Sequence, residues 1–222
     1  QCDYICINDA VKNHTVQTER CLGCGKCFNI CPAKAIEMYS VDKDFDLVLP
    51  KLVDGGIDCV EFHATVEDDE EIFEKWDSIS RNFDGVLSIC IDRMCLGNKQ
   101  VLNRIKKLIK NRQDFTTIIQ TDGIPMSGSK DDFKTTLQAV AMGEIIMNAN
   151  LPVYVFLSGG TNSKTTELAK LCGVKYDGVS VGSYARMIVS EYIKRDDFFE
   201  NKLIFNEALK KAKTLVDSVV KF

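Results

Sequence analysis

The chain of 222 residues contains no long apolar segment and no dominant charge. None of its hydrophobic runs approaches the ~18–20 residues that span a bilayer, so we expect no transmembrane segment. It has 28 lysine and arginine residues and 32 aspartate and glutamate residues, which gives a net charge of −4. The basic residues do not form a stripe along the sequence. Nucleic-acid-binding surfaces are strongly basic, and this composition therefore argues against a nucleic-acid partner.

The chain is also poor in histidine, with two residues, but it is rich in cysteine, with ten. Six of the cysteines lie within the first 31 residues. Such crowding is unlike a disulfide framework and indicates a metal site. Cys90, Cys95 and Cys172 stand in or beside apolar segments, where we expect small buried side chains and not metal ligands.

The segment "CLGCGKCFNICP", residues 21–32, spaces four cysteines by two, two and three residues and ends in proline. This spacing is typical of [4Fe–4S] ligands, because closely spaced thiolates can wrap one cluster. Gly23 and Gly25 allow the loop to turn tightly, and zinc sites usually separate two cysteine pairs by a longer stretch. Zinc or purely structural thiols remain the alternatives. The four cysteines of this motif are Cys21, Cys24, Cys27 and Cys31.

In two-cluster ferredoxins, the fourth cysteine of each motif binds the cluster of the other motif. We therefore predict that Cys6 completes the cluster held by the first three motif cysteines. Cys31 and Cys2 then belong to a second cluster that this chain ligates only in part. The fragment "QCDYIC" becomes the second half of a further motif, so we expect the chain to be the latter part of a longer protein. Ile7 departs from this pattern, since proline usually follows the fourth cysteine, and two unrelated cysteines are the alternative.

Beyond residue 42, short β-branched apolar runs alternate with segments of helical periodicity. Buried runs of this kind predict strands of a parallel sheet joined by crossover helices. The predicted fold is α/β, with TIM-barrel-like parallel β/α repeats, incomplete in this chain, in residues 43–222 and a small bacterial-type ferredoxin module in residues 1–42. The predicted strands are 57–62, 85–91, 116–121, 152–157 and 177–182, and the predicted helices are 69–81, 98–110, 131–148, 163–172, 184–194 and 206–220.

Ligands of parallel α/β proteins bind at the carboxyl ends of the strands, which makes the residues after each run candidates for function. His63, Asp92 and Asp122 are candidate acid–base groups, although a histidine at a strand end is often only structural. Glycine pairs and a helix start after the last two strands suit a phosphate, such as that of flavin mononucleotide (FMN), and simple helix capping is the alternative. The candidate phosphate-binding residues are Gly159, Gly160, Thr161, Asn162, Gly182, Ser183 and Arg186.

The sequence resembles the LdpA-like family, the light-dependent period proteins of cyanobacteria and their plastid relatives. The stretches that carry the resemblance are "ERCLGCGKCFNICPAKAIE", "GIDCVEFHA", "IIQTDGIPMSG", "TTLQAVAMGEII", "LPVYVFLSGGTNSKTTELAKLCGV" and "GVSVGSYAR". The resemblance implies two [4Fe–4S] clusters, one held by Cys21, Cys24, Cys27 and Cys6 and the other partly by Cys2 and Cys31. It also implies a link between redox state and the circadian clock, in cyanobacterial cytoplasm or plastid stroma.

Three functions are compatible with these features. The first is a redox sensor or electron relay that passes light or redox state to a signalling or photosynthetic protein partner, with peripheral membrane association allowed. The second is an oxidoreductase that binds a flavin or phosphate ligand and receives electrons from the clusters. The third is an assembly subunit with structural clusters. The sequence leaves enzyme activity open.

Overall fold

The computed structural model describes residues 2–6, 9–18, 20–21, 23–39, 44–64, 68–92, 96–123, 132–158 and 164–220, without the side chains of residues 2, 3, 132, 183 and 220. The chain divides into two compact units, Gln1–Asp44 and Phe45–Phe222. The sequence analysis placed the corresponding boundary after residue 42.

The first unit consists of short elements connected by tight turns. Strands β1 and β2 form an antiparallel hairpin in which Val11 pairs with Val16. Asn13 and His14 form its turn with positive φ angles of 48° and 63°, as a two-residue hairpin turn requires. The elements are α1 (Cys2–Ile5), β1 (Val11–Lys12), β2 (Thr15–Val16) and α2 (Lys26–Ile30).

The second unit alternates strands and helices, as the periodicity predicted. Its helices are α3 (Phe45–Asp54), α4 (Asp69–Asn82), α5 (Asn98–Ile109), α6 (Asp132–Asn148), α7 (Thr165–Leu171), α8 (Ser183–Ile193) and α9 (Lys202–Val220). Its strands are β3 (Cys59–His63), β4 (Val86–Ile91), β5 (Thr117–Thr121), β6 (Tyr154–Leu157) and β7 (Gly178–Val179).

Within the described residues, these five strands form one parallel sheet in the order β3-β4-β5-β6-β7. Each strand therefore lies beside the strands that precede and follow it in the chain. The register aligns Ile89 with Ile119 and Ile119 with Val155, which places buried aliphatic side chains in one row across the sheet. The predicted parallel sheet is confirmed, while closure into a barrel stays a prediction.

The core covers one face of this sheet. Leu87, Ile89 and Ile91 of β4 are fully buried and pack in one cluster with Trp76 of α4 and Ile105 of α5. Burying a side chain of this size contributes about 1.5–3 kcal/mol, so the cluster is a major source of stability. The indole Nε1 of Trp76 donates to the Leu108 carbonyl oxygen at 2.7 Å, which satisfies its polar atom inside the core.

Helix α6 packs closely against the sheet because it carries a glycine at the contact. A Cβ on Gly143 would lie 2.5 Å from Cδ2 of Leu157 on β6. A larger residue at this position would require the Leu157 side chain to move.

Four details differ from the sequence analysis. Strand β7 spans only Gly178–Val179 within the predicted strand 177–182. Helix α3 was not predicted, since it contains Pro50, but Leu49 anchors it in the core. Helix α9 begins at Lys202, four residues before the predicted start, because the Asn201 side chain accepts hydrogen bonds from the backbone N–H groups of Leu203 and Ile204. Cys172 is exposed at the end of α7, so the prediction of a buried side chain was wrong.

No helix in the described ranges combines the length and hydropathy required to cross a bilayer.

Candidate iron–sulfur centre and strand-end residues

Four cysteine side chains of the first unit line one cavity of about 420 Å³, a volume that includes space open to solvent. They are Cys6, Cys21, Cys24 and Cys27, the four residues that the spacing assigned to one cluster. Cys6 and Cys27 are half-buried, whereas Cys21 and Cys24 are exposed. Thiols from two separate segments of the chain therefore meet around one space.

The loop between Cys21 and Cys27 owes its shape to two glycines. Gly23 and Gly25 have φ angles of 64° and 71°, in the left-handed region that glycine adopts without steric cost. Gly25 lies immediately before α2, and Cys27 is in the first turn of that helix. The loop thereby directs three closely spaced cysteines toward the same cavity.

Backbone N–H groups donate hydrogen bonds to three of the cysteine sulfurs. Ala10 N–H donates to Cys6 Sγ at 3.2 Å, and Gly23 N–H donates to Cys21 Sγ at 3.4 Å. A third bond joins Ala35 N–H to Cys31 Sγ at 3.3 Å. Hydrogen bonds to sulfur stabilise thiolates and help to set the reduction potential of iron–sulfur clusters. The donor set and its surroundings thus fit an iron–sulfur group.

Cys31 faces a different cavity from the other three motif cysteines. That cavity is also lined by His14, Val16, Pro32 and Ile36. Cys2 is the first residue of α1, but only its backbone is described. Cys31 is therefore separated from the first cavity, and its relation to Cys2 stays a prediction.

The cysteines whose side chains are described form no disulfide, and their arrangement does not suit a single metal ion. They are Cys6, Cys21, Cys24, Cys27, Cys31, Cys59, Cys90 and Cys172. Among the described His, Cys, Asp and Glu residues, no group of three or more converges closely enough to hold one ion.

The second unit brings the three predicted acid–base residues to one edge of its sheet. His63 ends β3, Asp92 follows β4, and Asp122 follows β5, so all three lie where the parallel strands end. Asp92 and Asp122 are buried, with exposed fractions of 8% and 5%. His63 and Asp92 both influence the ionisation of Asp122, which shows that the three groups are neighbours.

Asp122 lies in an environment that favours its protonated form. Burial raises the pKa of its carboxyl above the ordinary range, while hydrogen bonds from Cys90 and Ser158 and the charge of His63 act in the opposite direction. The Cys90 thiol donates to Asp122 Oδ2. Burial, followed by the charge of Asp122, raises the pKa of this thiol, so Cys90 stays protonated. Cys90 is buried, as the sequence analysis expected, but its contact with a carboxyl was not foreseen.

A hydrogen-bond network that the sequence analysis missed runs across the same part of the sheet. Gln120 Nε2 donates to Glu61 Oε2 at 2.5 Å and to Ser88 Oγ at 2.7 Å, and the Ser180 hydroxyl donates to Gln120 Oε1 at 2.5 Å. Glu61 Oε1 in turn lies 2.8 Å from His63 Nε2. The alternation of polar and apolar residues in "CVEFH" was the available signal, since it places Glu61 and His63 on one face of β3.

The candidate phosphate-binding residues are only partly described. Gly159, Gly160, Thr161 and Asn162 lie outside the described residues, and so does the Ser183 side chain. Gly182 immediately precedes α8, and Arg186 is an exposed residue in the first turn of that helix. The structure therefore places these two residues at a helix start, and the phosphate site stays a prediction.

Comparisons with known proteins match both units. The family model of the LdpA Fe-S cluster-binding domain matches residues 1–42, and the model of the Light dependent period A C-terminal domain matches residues 51–220. The chain belongs to the light dependent period A family. This finding confirms the resemblance seen in the sequence and identifies residues 1–42 as the Fe-S cluster-binding domain of that family.

One curated relative is the Light dependent period A protein of Synechococcus elongatus. It is 32% identical to this chain over 202 residues, a match that covers 86% of this chain and 56% of the relative. The chain thus spans little more than half of the length of this family member.

Proposed function

We propose that this protein is a redox sensor or electron relay that uses [4Fe–4S] clusters bound by its first 42 residues. The observation that carries the proposal is the meeting of Cys6, Cys21, Cys24 and Cys27 around one cavity. When bound there, a cluster would supply one-electron oxidation and reduction. Cys6 donates the fourth thiolate, and the backbone N–H of Ala10 holds that sulfur in place.

The spread of the thiols supports a cluster over the zinc alternative. In a tetrahedral zinc site, Zn–S bonds of about 2.3 Å bring the sulfurs within roughly 4 Å of one another. The described cysteines surround a cavity without converging on one point. A group with several metal atoms fits such an arrangement better than one ion.

The separate cavity of Cys31 supports the assignment of that thiolate to a second cluster, shared with Cys2. Two clusters within one small module are suited to passing electrons from one site to the next.

A protein partner is the proposed recipient of the redox signal. The first unit exposes Tyr4, Phe28, Met38 and Tyr39, and Met38 also lines the cysteine cavity. Exposed apolar side chains beside a redox centre are suited to a short-lived docking contact. The printed name of the relative links it to a light-dependent period, so we propose a partner in circadian-type signalling or photosynthetic electron transport. The proposed setting is cyanobacterial cytoplasm or the plastid stroma.

The test is the iron and sulfide content of protein purified without oxygen. Cys6→Ala should lose the cluster held by Cys21, Cys24 and Cys27, although it lies outside their motif. Cys172→Ala is the matched control, because this exposed cysteine lies at the end of α7 and should leave the iron content unchanged. Equal iron content in the two variants would overturn the proposed ligand set.

A second measurement tests the redox role itself. Electron paramagnetic resonance during a potential titration should show reversible reduction of the clusters. Clusters that are present but accept no electron at any accessible potential would leave only a structural role.

An oxidoreductase with a bound flavin is the second candidate, and the acid–base groups at the edge of the sheet favour it. His63, Asp92 and Asp122 lie close together at the carboxyl ends of the strands, where a β/α barrel binds its ligands. The strands lie in the sheet in the same order as in the chain, which supports a barrel-like architecture. Release of FMN from the purified protein, measured by chromatography, would support this candidate. Its complete absence, with clusters fully loaded, would favour the relay.

A further inference from the structure

The two faces of the sheet in the second unit have different chemistry. Leu87, Ile89 and Ile119 point toward the helices and are fully buried in the core. Successive residues of a strand point to opposite faces, and paired residues of parallel strands point to the same face. The opposite face carries Ile118, Tyr154 and Phe156 as well, but most of its residues toward the carboxyl ends of the strands are polar. The polar members of this face are Glu61, His63, Ser88, Cys90, Asp92, Gln120, Asp122, Ser158 and Ser180.

Gln120 holds this surface in a fixed arrangement. Its amide nitrogen donates to Glu61 and Ser88, and its amide oxygen accepts from Ser180. Both amide protons are thereby used, so the side chain cannot flip without losing three hydrogen bonds. Because Gln120 is buried, its contact fixes the position of the more exposed Glu61 carboxylate.

Glu61 in turn orients the imidazole of His63. A carboxylate only accepts hydrogen bonds, so the ring nitrogen that lies 2.8 Å from Glu61 Oε1, Nε2, carries a proton. In the neutral ring, Nδ1 then has the lone pair and can accept a proton. Among the described residues, Glu61 is the only hydrogen-bond partner of this ring, and the side chain of His63 is 51% exposed. A half-exposed imidazole held by a carboxylate is the arrangement of many general bases.

The carboxyl of Asp122 differs from that of Glu61 in its exposure to solvent. Asp122 is buried beside the protonated Cys90 thiol, whereas the side chain of Glu61 is 45% exposed. Two carboxyls in contrasting surroundings beside one imidazole are typical of sites that move protons.

We propose that this polar face is a second functional site, in which His63 acts as a general base toward a small neutral organic molecule with an ionisable C–H, N–H or O–H bond. In the proposed step, that bond breaks, its electron pair stays on the ligand, and the proton forms the Nδ1–H bond of His63. Glu61 balances the charge of the resulting imidazolium. Glu61 and Gln120 are positioning residues.

Charge determines which ligands this face admits. The carboxylates of Glu61 and Asp92 face the same space as His63, and the neutral Cys90 of β4 pairs with His63 across the sheet. The two carboxylates repel anionic ligands, so the proposed ligand carries no negative charge. The inference does not rest on the iron–sulfur proposal, because cluster content is measured separately and no cluster ligand belongs to this face.

The probe is 5-nitrobenzisoxazole, a neutral molecule whose C–H bond is cleaved by a base. Loss of its proton forms a nitrile, breaks the N–O bond and leaves the electron pair on a coloured phenolate, so the reaction needs no further reactant. The full cluster-loaded chain should open this ring about 100-fold faster than His63→Ala, the usual range for one general base.

The positioning residues have their own controls. Glu61→Ala and Gln120→Ala should each slow the reaction by roughly tenfold or more, since each removes a hydrogen bond that orients the base. Glu61→Asp should restore part of the rate. Gln113→Ala removes an exposed glutamine outside this face and should react like the unaltered protein.

Equal rates for the unaltered chain and His63→Ala would overturn the proposal. If Gln120→Ala fails to fold, His63→Ala still decides the question, because its half-exposed side chain can be removed without opening the core. If His63→Ala abolishes the reaction but Glu61→Ala leaves its rate unchanged, the assignment of Glu61 as the residue that positions His63 is wrong.

Discussion

Gly123 and Thr135 are packed backbone against backbone: a Cβ atom on Gly123 would lie 1.9 Å from the Thr135 carbonyl oxygen. This contact joins the end of β5 to the first turn of α6. Gly123 also follows Asp122, so the same contact helps to place the buried carboxyl at the edge of the sheet. The position therefore requires glycine because of close approach and not because of an unusual φ angle.

Gly123→Ala should destabilise the second unit by at least about 2 kcal/mol, because the obstacle is a backbone oxygen that can move only with the helix. Urea unfolding followed by tryptophan fluorescence measures this loss, since Trp76 is the single tryptophan of the chain and is buried in that unit. Gly97→Ala is the control for the close contact: its Cβ would meet its nearest neighbour at 3.4 Å, so its loss should be limited to about 1 kcal/mol for alanine at the N-cap of α5. Equal stability of the two variants would contradict the close contact.

The ion pair between Arg104 and Asp69 has one buried and one exposed member. Arg104 Nε donates to Asp69 Oδ1 at 2.7 Å, and its side chain is 1% exposed while that of Asp69 is 50% exposed. The guanidinium also donates to the Ala64 carbonyl oxygen at 2.9 Å, which links α5 to the end of β3. Burial of a charge is tolerated only when the charge is paired.

Asp69→Ala should therefore cost about 1.5–3 kcal/mol of unfolding free energy, although Asp69 is the exposed member, because it removes a charge-assisted hydrogen bond to the buried guanidinium. Arg104→Met should be milder, since the remaining Asp69 is solvated. Asp217→Ala, which breaks the exposed pair with Lys213, should cost less than about 1 kcal/mol. Urea unfolding compares the stability of the three variants. If Asp69→Ala loses no more unfolding free energy than Asp217→Ala, the pair between Arg104 and Asp69 contributes little to stability.

The alternation of strands and helices could be predicted because short apolar runs rich in β-branched residues, such as "VLSICI", usually form buried strands. Helix α3 escaped prediction because Pro50 signals a break, whereas tertiary packing of Leu49 determines the outcome. The cluster-binding cysteines are likewise evident from local spacing. The contacts of Gln120 are not, because they depend on which strands are neighbours and on their register.

The same limit applies to Asp122 and Cys90, which are 32 residues apart in the chain. Each alone is an ordinary residue at the end of an apolar run. Only the pairing of β4 with β5 brings the thiol to the carboxyl and removes both from water. Sequence position identified Asp122 as a candidate, but its protonation depends on burial that the fold creates.

Asp122→Asn should change the pH dependence of stability in a defined direction. Burial raises the pKa of Asp122 in the folded state, so the folded chain binds this proton more tightly than the unfolded chain, where the pKa is about 4. Below that pH both states are protonated and the carboxyl has no effect; as pH rises, the unfolded state ionises first and the stability of the unaltered protein falls. The asparagine variant lacks this loss and still accepts hydrogen bonds from Cys90 and Ser158. Its stability relative to the unaltered chain should therefore increase as the pH rises above about 4, which urea unfolding at several pH values would measure. A difference in unfolding free energy that stays constant over this range would show that Asp122 is ionised in the folded protein.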